Sequence, residues 1–310
     1  MKKIIITGGL GYIGSLLAEK LIQDNYEVFI FDNFFTNIKS KIKGTKFIKC
    51  DITKAFQLNN IKIKNIDTVL HLAGQSSGPK SYTMPELDVR INIIGTVNMI
   101  KFCAKNSVNK FIFASTFAVY GDPIDKIKLN ENVICNPKSF YGISKYTCEK
   151  YVKGLCEKFS IKWNILRMFN VYGVGQDLTR RDQGMVSIYL DYIKNSNYLP
   201  VNGSLERFRD LIYIEDVLQA WLLCLKDKKN SNQIFNVGSG KKTYVKTIIK
   251  EIIMLYKKKK VMKVKEAGST PGDIMGCYAD ISKIKKLLKF KPKYNFKKGV
   301  KIFKEWADLN

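Results

Sequence analysis

Residues 2–14 read KKIIITGGLGYIG, a short apolar run that passes directly into a glycine-rich turn. The run Lys2–Thr7 predicts a buried strand, and the segment Tyr12–Gln23 after the turn has the periodicity of a helix. Glycines at Gly8, Gly11 and Gly14 permit a tight turn, the close approach of a pyrophosphate and close packing of the helix on the strand. Such an anion would bind at the amino terminus of the helix. The stretch therefore predicts a strand–turn–helix unit that binds a dinucleotide.

The same alternation of strand and helix continues through the first half of the chain. Its strand candidates are rich in Ile, Val and Phe and too apolar to be half-exposed, which is typical of a parallel sheet covered on both faces. Repeated βαβ units predict an α/β fold with a Rossmann-type, doubly wound parallel sheet. The predicted strands are Lys2–Thr7, Val28–Asp32, Lys46–Cys50, Thr68–Leu72, Lys110–Ser115 and Ile161–Arg167, and the predicted helices are Tyr12–Gln23, Tyr82–Asn106 and Ser139–Phe159.

The pattern becomes irregular after Arg167 and predicts a smaller α/β lobe packed on the sheet. Its expected strands are Leu211–Ile214 and Gln233–Val237. Its expected helices are Gly184–Asn195, Glu215–Leu225, Val245–Tyr256, Asp280–Leu288 and Phe296–Trp306.

The net charge of +26 has a composition that argues against specific nucleic-acid binding. Of 53 basic residues only six are arginine, and the lysines are scattered without the interleaved aromatic residues that stack on bases. We interpret the charge as a solvated, lysine-rich surface. Five of the arginines fall between Arg167 and Arg209, where a planar guanidinium suits phosphate groups. Arg180 and Arg181 are expected to form structural ion pairs.

Cysteine, histidine and hydropathy exclude several classes of protein. Seven cysteines without a C-x-x-C pair indicate reduced thiols and a cytoplasmic location. His71 is the only histidine, which counts against a zinc site or a histidine-based triad, so no metal is expected. No run of eighteen apolar residues exists, so no membrane segment is expected.

Two acidic residues at strand ends bear on the dinucleotide. Asp32 ends the second strand, where a carboxylate accepts hydrogen bonds from ribose hydroxyls and repels a 2′-phosphate. This favours NAD over NADP. Asp51 ends the third strand, where it is equally suited to contact the adenine amine or to cap a turn.

Tyr141 and Lys145 lie four residues apart in a predicted helix, so their side chains share one face. A cation held there favours the phenolate and lowers the pKa of the tyrosine from about 10 towards neutral pH. Such a tyrosine can exchange a proton with a hydroxyl group while a hydride moves. The spacing also occurs by chance in many helices, and it gains weight here from the glycine-rich turn and from Ser115-Thr116 upstream.

Taken together, these motifs resemble the extended short-chain dehydrogenases/reductases of the nucleotide-sugar epimerase/dehydratase family, and most closely the UDP-glucose 4-epimerases. The resemblance covers nearly the whole chain. It is carried by Thr7–Gly14, Asp32-Asn33, Asp51-Ile52, His71–Gly74, Asn92-x-x-Gly95-Thr96, Ser115-Thr116, Tyr141-x-x-x-Lys145, Arg167–Gly173, Arg207–Asp210, Asn236–Gly240, Pro271–Asp273 and Ala279-Asp280.

The resemblance implies a role for each matching position. Tyr141 takes the place of the catalytic tyrosine, Lys145 that of the lysine that lowers its pKa, and Thr116 that of the residue that binds the sugar 4-hydroxyl. NAD is implied to contact Gly8, Gly11, Tyr12, Ile13, Gly14, Asp32, Asn33, Asp51, Ile52, Leu72, Ala73, Gly74, Asn92, Ser115, Tyr141 and Lys145. The nucleotide sugar is implied to contact Ser77, Thr116, Asn170, Met185, Val186, Arg209, Asp273 and Cys277.

Departures from the family pattern narrow the chemistry. Dehydratases of this family carry Asp-Glu after the active-site threonine, where this chain has Phe117 and Ala118. Neither side chain transfers a proton, so 4,6-dehydration lacks its acid and base, and the related decarboxylases are disfavoured as well. Thr270 stands where many members have arginine, which leaves one diphosphate contact either missing or supplied by Arg207. Gln75 begins a Gln-Ser-Ser segment that replaces a basic residue of some epimerases.

One position bears on the size of the sugar. Cys277 aligns with a residue that is tyrosine in members that exclude N-acetylated sugars and small in members that admit them. The hypothesis is that UDP-GlcNAc and UDP-GalNAc are accepted beside UDP-glucose and UDP-galactose. The alternative is that differences in the loops outweigh one side chain.

The resemblance implies an NAD-dependent C4 epimerase that acts through a transient 4-keto intermediate. The alternatives are a reductase of 4-keto nucleotide sugars and a non-catalytic NAD-binding scaffold. We expect an NAD-binding Rossmann domain at 1–167, to which part of the later chain returns, and a mainly nucleotide-sugar-binding domain at 168–310. A homodimer formed through helices Tyr82–Asn106 and Ser139–Phe159 is implied by the resemblance alone.

Overall fold

The computed structural model describes residues 1–36, 41–123, 128–258 and 260–310. Its strands in chain order are β1 (Lys3–Thr7), β2 (Glu27–Asp32), β3 (Lys46–Lys49), β4 (Ile66–His71), β5 (Lys110–Thr116), β6 (Lys128–Leu129), β7 (Lys162–Met168), β8 (Asn170–Tyr172), β9 (Tyr198–Val201), β10 (Phe208–Arg209), β11 (Leu211–Tyr213), β12 (Gln233–Val237), β13 (Thr243–Tyr244), β14 (Lys263–Glu266) and β15 (Tyr278–Ala279).

The helices follow the strands in the alternation that the sequence predicts. They are α1 (Tyr12–Gln23), α2 (Ala55–Asn59), α3 (Gly78–Thr83), α4 (Pro85–Asp88), α5 (Gly95–Lys105), α6 (Phe140–Lys158), α7 (Met185–Asn195), α8 (Ile214–Lys226), α9 (Val245–Leu255), α10 (Ser282–Leu288) and α11 (Phe296–Leu309), with a π-helical turn at Val89–Ile94 and a 3-10 turn at Phe117–Tyr120.

Seven strands form one parallel sheet in the order β12-β7-β5-β4-β1-β2-β3. Read from β3, this is the doubly wound order of a Rossmann fold, with one further strand at the far edge. The predicted fold class is confirmed. The chain reverses its direction of winding between β1 and β4, and ligands of such sheets bind at the carboxyl ends of the strands near that point.

Both faces of the sheet are covered, as the apolar strands predict. Side chains of a strand alternate between its faces, so Ile4 and Ile6 pack in one core with Leu17 of α1. Ile5 packs on the other face in a second core that includes Met99 of α5. All five side chains are completely buried.

Two predicted elements differ from the structure. The third strand ends at Lys49 and is largely exposed, because it is the outer strand of the sheet and β2 covers only one of its edges. The predicted helix Tyr82–Asn106 is broken after α3. Met84 lies outside helical geometry (φ −140°, ψ 62°) because the ring of Pro85 disfavours a helical residue before it.

The remaining short strands build the smaller lobe above the carboxyl ends of the sheet. β8 pairs with β11, β9 with β14, and β10 with β13. Two strand pairings cross the predicted domain boundary after residue 167. β12, from the second predicted domain, joins the large sheet, and β6, from the first, pairs with β15. The division of function between 1–167 and 168–310 stays a prediction.

Candidate active site

A cleft of about 1020 Å³ lies at the carboxyl ends of β1, β4 and β5 and is closed on its other side by the smaller lobe. Most of the candidate residues line it, although they come from segments as distant as Gly8 and Asp273. The topology of the sheet brings them together, because parallel strands end at one edge.

The glycine-rich turn forms one end of the cleft. Gly8 has φ +66°, and a Cβ at this position would lie 2.8 Å from the backbone of Ala73. A Cβ on Gly14 would lie 2.3 Å from the carbonyl oxygen of Gly8, so only glycine allows α1 to begin this close to β1. Gly11 is the residue before α1 and has no side chain to cap the helix, which leaves the first N–H groups directed at the cleft. This cradle fits a dinucleotide diphosphate.

The acidic residue at the end of β2 is held in place by the same turn. Asp32 accepts hydrogen bonds from the backbone N–H groups of Leu10 (3.0 Å) and Phe34 (2.9 Å). Asn33 follows it and also lines the cleft. The carboxylate therefore lies beside the phosphate cradle, as binding of a ribose requires.

Asp51 and Ile52 line the cleft beyond β3. Asp51 accepts a hydrogen bond from the Thr53 N–H at 2.9 Å, so it does cap a turn. Its position on the wall of the cleft is also compatible with contact to an adenine ring, and the two interpretations are not exclusive.

The floor of the cleft, Leu72–Gly74, follows directly after a buried histidine. His71 lies between the hydroxyl oxygens of Thr7 (2.8 Å from Nδ1) and Thr96 (3.1 Å from Nε2). Burial and the charge of Lys145 lower the pKa of His71 to about 3. The ring is thus a neutral structural link between β1, β4 and α5, and it takes no part in metal binding or proton transfer here.

Thr116, Tyr141 and Lys145 meet at the centre of the cleft. The Thr116 side chain interacts with the phenol of Tyr141 and also accepts a hydrogen bond from the Ala118 N–H at 3.2 Å. Lys145 lies one helical turn further along α6, is buried, and has its ammonium 4.3 Å from the ring centroid of Phe113. The structure therefore brings the three predicted catalytic side chains together.

The net shift of the Tyr141 pKa is upward in the enclosed cleft, and the effect of Lys145 on it stays a prediction. Burial raises the pKa of Tyr141 to about 12, and the interaction with the Thr116 side chain opposes the rise. Burial also lowers the pKa of Lys145. The enclosed site disfavours both charged groups, so spacing on a helix alone did not determine the protonation state.

A buried ion pair behind the catalytic residues was missed by the sequence interpretation. Arg167 donates to both oxygens of Glu149, from Nε at 2.9 Å and from Nη2 at 2.7 Å. Ser115 Oγ donates to the same carboxylate at 2.6 Å. Arg167 is thus not free to bind a phosphate, contrary to the interpretation of the arginine segment. The signal for Glu149 was its place four residues after Lys145, on the same face of α6.

Three candidate residues lie behind the wall of the cleft. Asn92 directs its amide at Gln75, Asp88 and Ser144. Ser77 is fully buried, caps α3 by accepting from the Lys80 N–H at 3.1 Å, and donates to the Asp182 carbonyl. Each of these side chains holds the wall together.

Cys277 is the third residue behind the wall. It is completely buried, and burial raises the pKa of its thiol to about 12. The charge of Arg209, which lines the cleft, opposes this rise. Cys277 itself is not among the residues that line the cleft.

The far end of the cleft is lined by Asn170, Met185, Val186 and two buried arginines. Arg207 and Arg209 both form ion pairs with Asp273, one with each carboxylate oxygen. Burial and the neighbouring charge of Arg207 lower the pKa of Arg209 to about 10, so its guanidinium is charged at neutral pH. Two cations share one anion, which leaves this end of the cleft positively charged.

Arg180 and Arg181 form ion pairs, as predicted. Arg180 donates to both oxygens of Asp182 at 2.9 and 2.7 Å, and Arg181 pairs with Asp191. Within the described ranges, no group of three or more His, Cys, Asp or Glu side chains could hold a metal ion. None of the helices in the described part of the chain combines the length and hydrophobicity that a membrane span requires.

The comparison with known families agrees with this geometry. Residues 4–238 match the model of the NAD-dependent epimerase/dehydratase family. The chain belongs to this family. The Rossmann sheet, the dinucleotide cradle and the cleft are therefore those of an NAD-dependent enzyme of the epimerase/dehydratase family, and the predicted cofactor is confirmed at this level.

Relatives within the epimerase/dehydratase family cover the full chain. A protein of Methanocaldococcus jannaschii, provisionally named as a UDP-glucose 4-epimerase, is 36% identical over 312 residues, with 99% of each chain covered. The crystal structure of the Thermotoga maritima UDP-glucose 4-epimerase with UDP-glucose is similar with a TM-score of 0.93 and 30% identity, over 99% of each chain. The UDP-N-acetylglucosamine 4-epimerase of Methanobrevibacter ruminantium, solved with UDP-N-acetylmuramic acid, has a TM-score of 0.90 and 30% identity, over 99% of this chain and 98% of its own.

Proposed function

We propose that this protein is an NAD-dependent C4 epimerase of a nucleotide sugar, acting through a transient 4-keto intermediate. The observation that carries the proposal is that Thr116, Tyr141 and Lys145 line the same cleft, with the Thr116 side chain acting on the phenol of Tyr141. Phe117 and Ala118 also line the cleft and offer no proton-transferring group. The site is thus equipped to move the proton of one hydroxyl and lacks the acid and base that dehydration needs.

The cofactor half of the proposal rests on the glycine cradle and the carboxylate beside it. The N–H groups that open α1 would bind the diphosphate, and Asp32 would bind the adenosine ribose. When bound, NAD⁺ would supply a hydride acceptor and a positively charged ring. The chain's own part is to hold Tyr141 in the cleft and to exchange the sugar 4-hydroxyl proton through Thr116 and Tyr141.

The proposed binding of the nucleotide sugar rests on the positive charge of two arginines. Arg207 and Arg209 would bind the diphosphate of the nucleotide sugar, since guanidinium groups match phosphate oxygens. Asp273 already lies between them and would bind the nucleotide ribose. In this proposal Arg207 makes the diphosphate contact that many family members make with an arginine at the position of Thr270. Asn170, Met185 and Val186 would enclose the remainder of the nucleotide and sugar.

The sugar is proposed to be glucose or galactose, with the N-acetylated sugars as an extension. Similarity to an N-acetylglucosamine 4-epimerase supports the extension. Cys277 is completely buried and is not among the residues that line the cleft, which limits the influence of this one side chain on the choice of sugar.

A reductase of 4-keto nucleotide sugars is the nearest alternative, because it would use the same three residues. It consumes reduced cofactor in each turnover, whereas an epimerase regenerates its cofactor. A non-catalytic NAD-binding scaffold is disfavoured by the intact set Thr116, Tyr141 and Lys145 in the cleft.

We also propose that the protein is a cytoplasmic homodimer. Apolar side chains on the π-turn and α6 are exposed, among them Val89 (48%), Ile94 (44%), Phe140 (45%), Ile143 (45%) and Tyr151 (44%). Exposed apolar groups clustered on two neighbouring helices favour association.

The decisive experiment incubates the purified protein with UDP-, GDP- and dTDP-sugars without added cofactor and follows C4 inversion by NMR. An epimerase inverts at least one sugar under these conditions. Tyr141→Phe should abolish turnover and leave NAD binding intact. Full activity of that variant would refute the mechanism, and strict dependence on added reduced cofactor would favour the reductase.

A further inference from the structure

A second buried carboxylate lies behind Tyr141 and Lys145. Asp88 is the last residue of α4 and is 1% exposed. Its Oδ1 accepts hydrogen bonds from Gln75 Nε2 at 2.8 Å and Asn92 Nδ2 at 3.1 Å. Its Oδ2 is buried without a hydrogen-bond partner among the residues that the structure describes. A buried carboxylate oxygen without a donor is unfavourable, so its presence beside a reactive site needs a physical reason.

Asp88 differs from the other carboxylate near the pair in its charge balance. Glu149 is neutralised by the two hydrogen bonds from Arg167. Among the ion pairs of the described ranges, none includes Asp88. No cation of the described residues is thus paired with this carboxyl group, in a medium where charges are poorly screened.

Hydrogen bonds connect Asp88 to the catalytic helix. Asn92 Nδ2, which contacts Asp88, also lies 3.0 Å from Ser144 Oγ, and that hydroxyl donates to the Tyr141 carbonyl at 3.0 Å. The side chains of Asn92 and Lys145 approach each other at Gly74, since a Cβ on Gly74 would lie 2.9 Å from Asn92 Oδ1 and 3.7 Å from Lys145 Nζ. The chain Asp88–Asn92–Ser144 thus sets the position of the first turn of α6.

We infer that Asp88 is a positioning residue that orients the first turn of α6 through Asn92 and Ser144 and places a carboxyl group beside Tyr141 and Lys145. The inference rests on the proposed function of Tyr141 and Lys145. Burial lowers the pKa of Lys145, and Cys148, Asp88 and Glu149 oppose that lowering. The charged or titratable groups around Lys145 are Tyr141, Cys148 and Glu149 on its own helix, Asp88 on α4 and His71 on β4.

The electrostatic contribution of Asp88 has the same sign at both catalytic groups. Its charge raises the pKa of Lys145, against the lowering by burial, and adds to the rise that burial causes in the pKa of Tyr141. Removal of the charge should therefore move both ionisations to lower pH. A residue with a merely structural role would change the height of the pH profile and leave its position unchanged.

The test compares Asp88→Asn with Asp216→Asn over a pH series of kcat and KM. Asp216 is a matched control because it is also 1% exposed and also accepts two hydrogen bonds, from the N–H groups of Lys293 and Tyr294 in the smaller lobe. For Asp88→Asn we expect both limbs of the kcat profile to move to lower pH by about one unit, with KM little changed. Asp216→Asn should keep the wild-type profile.

A second measurement does not depend on turnover. Competitive acetylation of Lys145 against pH, read by mass spectrometry, reports its ionisation in the NAD-bound protein and in each variant. Half-reaction of Lys145 at lower pH in Asp88→Asn, restored in Asp88→Glu, supports the inference even if no sugar is epimerised. Superimposable labelling curves and pH profiles in wild type and Asp88→Asn would overturn it. If Asp88→Asn does not fold, Asp88→Ser replaces it in both measurements, and curves and profiles that superimpose on those of the wild type overturn the inference in the same way.

Discussion

The sole histidine of the chain should make stability depend on pH in a defined window. His71 is 1% exposed, and its pKa is lowered from 6.5 to about 3, by burial first and by Lys145 second. Between these values the unfolded chain binds a proton that the folded chain does not bind. The contribution of His71 is therefore complete above pH 6.5 and is lost as the pH falls towards 3.

The loss of folding stability on acidification can be calculated from the lowering of the His71 pKa. Each pH unit below 6.5 removes about 1.4 kcal/mol, so the loss between pH 7 and pH 5 is about 2 kcal/mol. Asp210 and Asp216 have pKa values raised by burial and act in the opposite direction. They are common to the wild type and to a His71 variant, so they cancel in the comparison.

The assay is urea unfolding at pH 7 and pH 5, followed by circular dichroism, for the wild type and His71→Gln. Glutamine keeps a hydrogen-bonding group between Thr7 and Thr96 and cannot gain a charge. The wild type should lose about 2 kcal/mol more than the variant on acidification. An equal loss in both proteins would show that His71 is not buried in its neutral form, and would refute its role as a neutral link between Thr7 and Thr96.

Further predictions concern the buried ion pair, the cofactor and the proposed dimer. Arg167→Met leaves Glu149 unpaired in the core and should cost about 3–5 kcal/mol in urea unfolding, whereas adding Glu149→Gln should recover at least about 2 kcal/mol. A second substitution without any recovery would contradict the pairing. Asp32→Asn removes the charge and can keep only one of the two backbone hydrogen bonds, from Leu10 or from Phe34, because an amide has a single accepting oxygen. It should reduce the preference for NAD over NADP by about tenfold in fluorescence titrations, and an unchanged ratio would argue against ribose binding by Asp32. Ile143→Glu should shift the mass measured by light scattering towards the monomer, while Ile134→Glu, at an exposed position (88%) off the proposed dimer face, should not; equal masses for both variants would remove the support for this face.

Local patterns in the sequence were sufficient for the fold and for most of the cleft. The boundaries of α1 were predicted to the residue, and strands β1, β2 and β4 to within two residues, because apolar runs and glycine spacing are short-range signals. The same signals placed β3 to within one residue but wrongly predicted that it is buried, because burial depends on whether a strand lies on each side. They also missed the break in the helix at Met84, which is a stereochemical effect of Pro85.

The sequence by itself determined the α/β class, the phosphate cradle with its acidic partner, and the presence of Thr116, Tyr141 and Lys145, because each is encoded by residue type at fixed local spacing. The tertiary structure alone decided which groups surround them. Glu149 meets Arg167 because β5 and β7 pair with Ser115 opposite Arg167, and Asp88 reaches the same helix through Asn92. The protonation of Tyr141 and Lys145 depends on this enclosure and on the charges within it, and neither can be read from spacing along a helix.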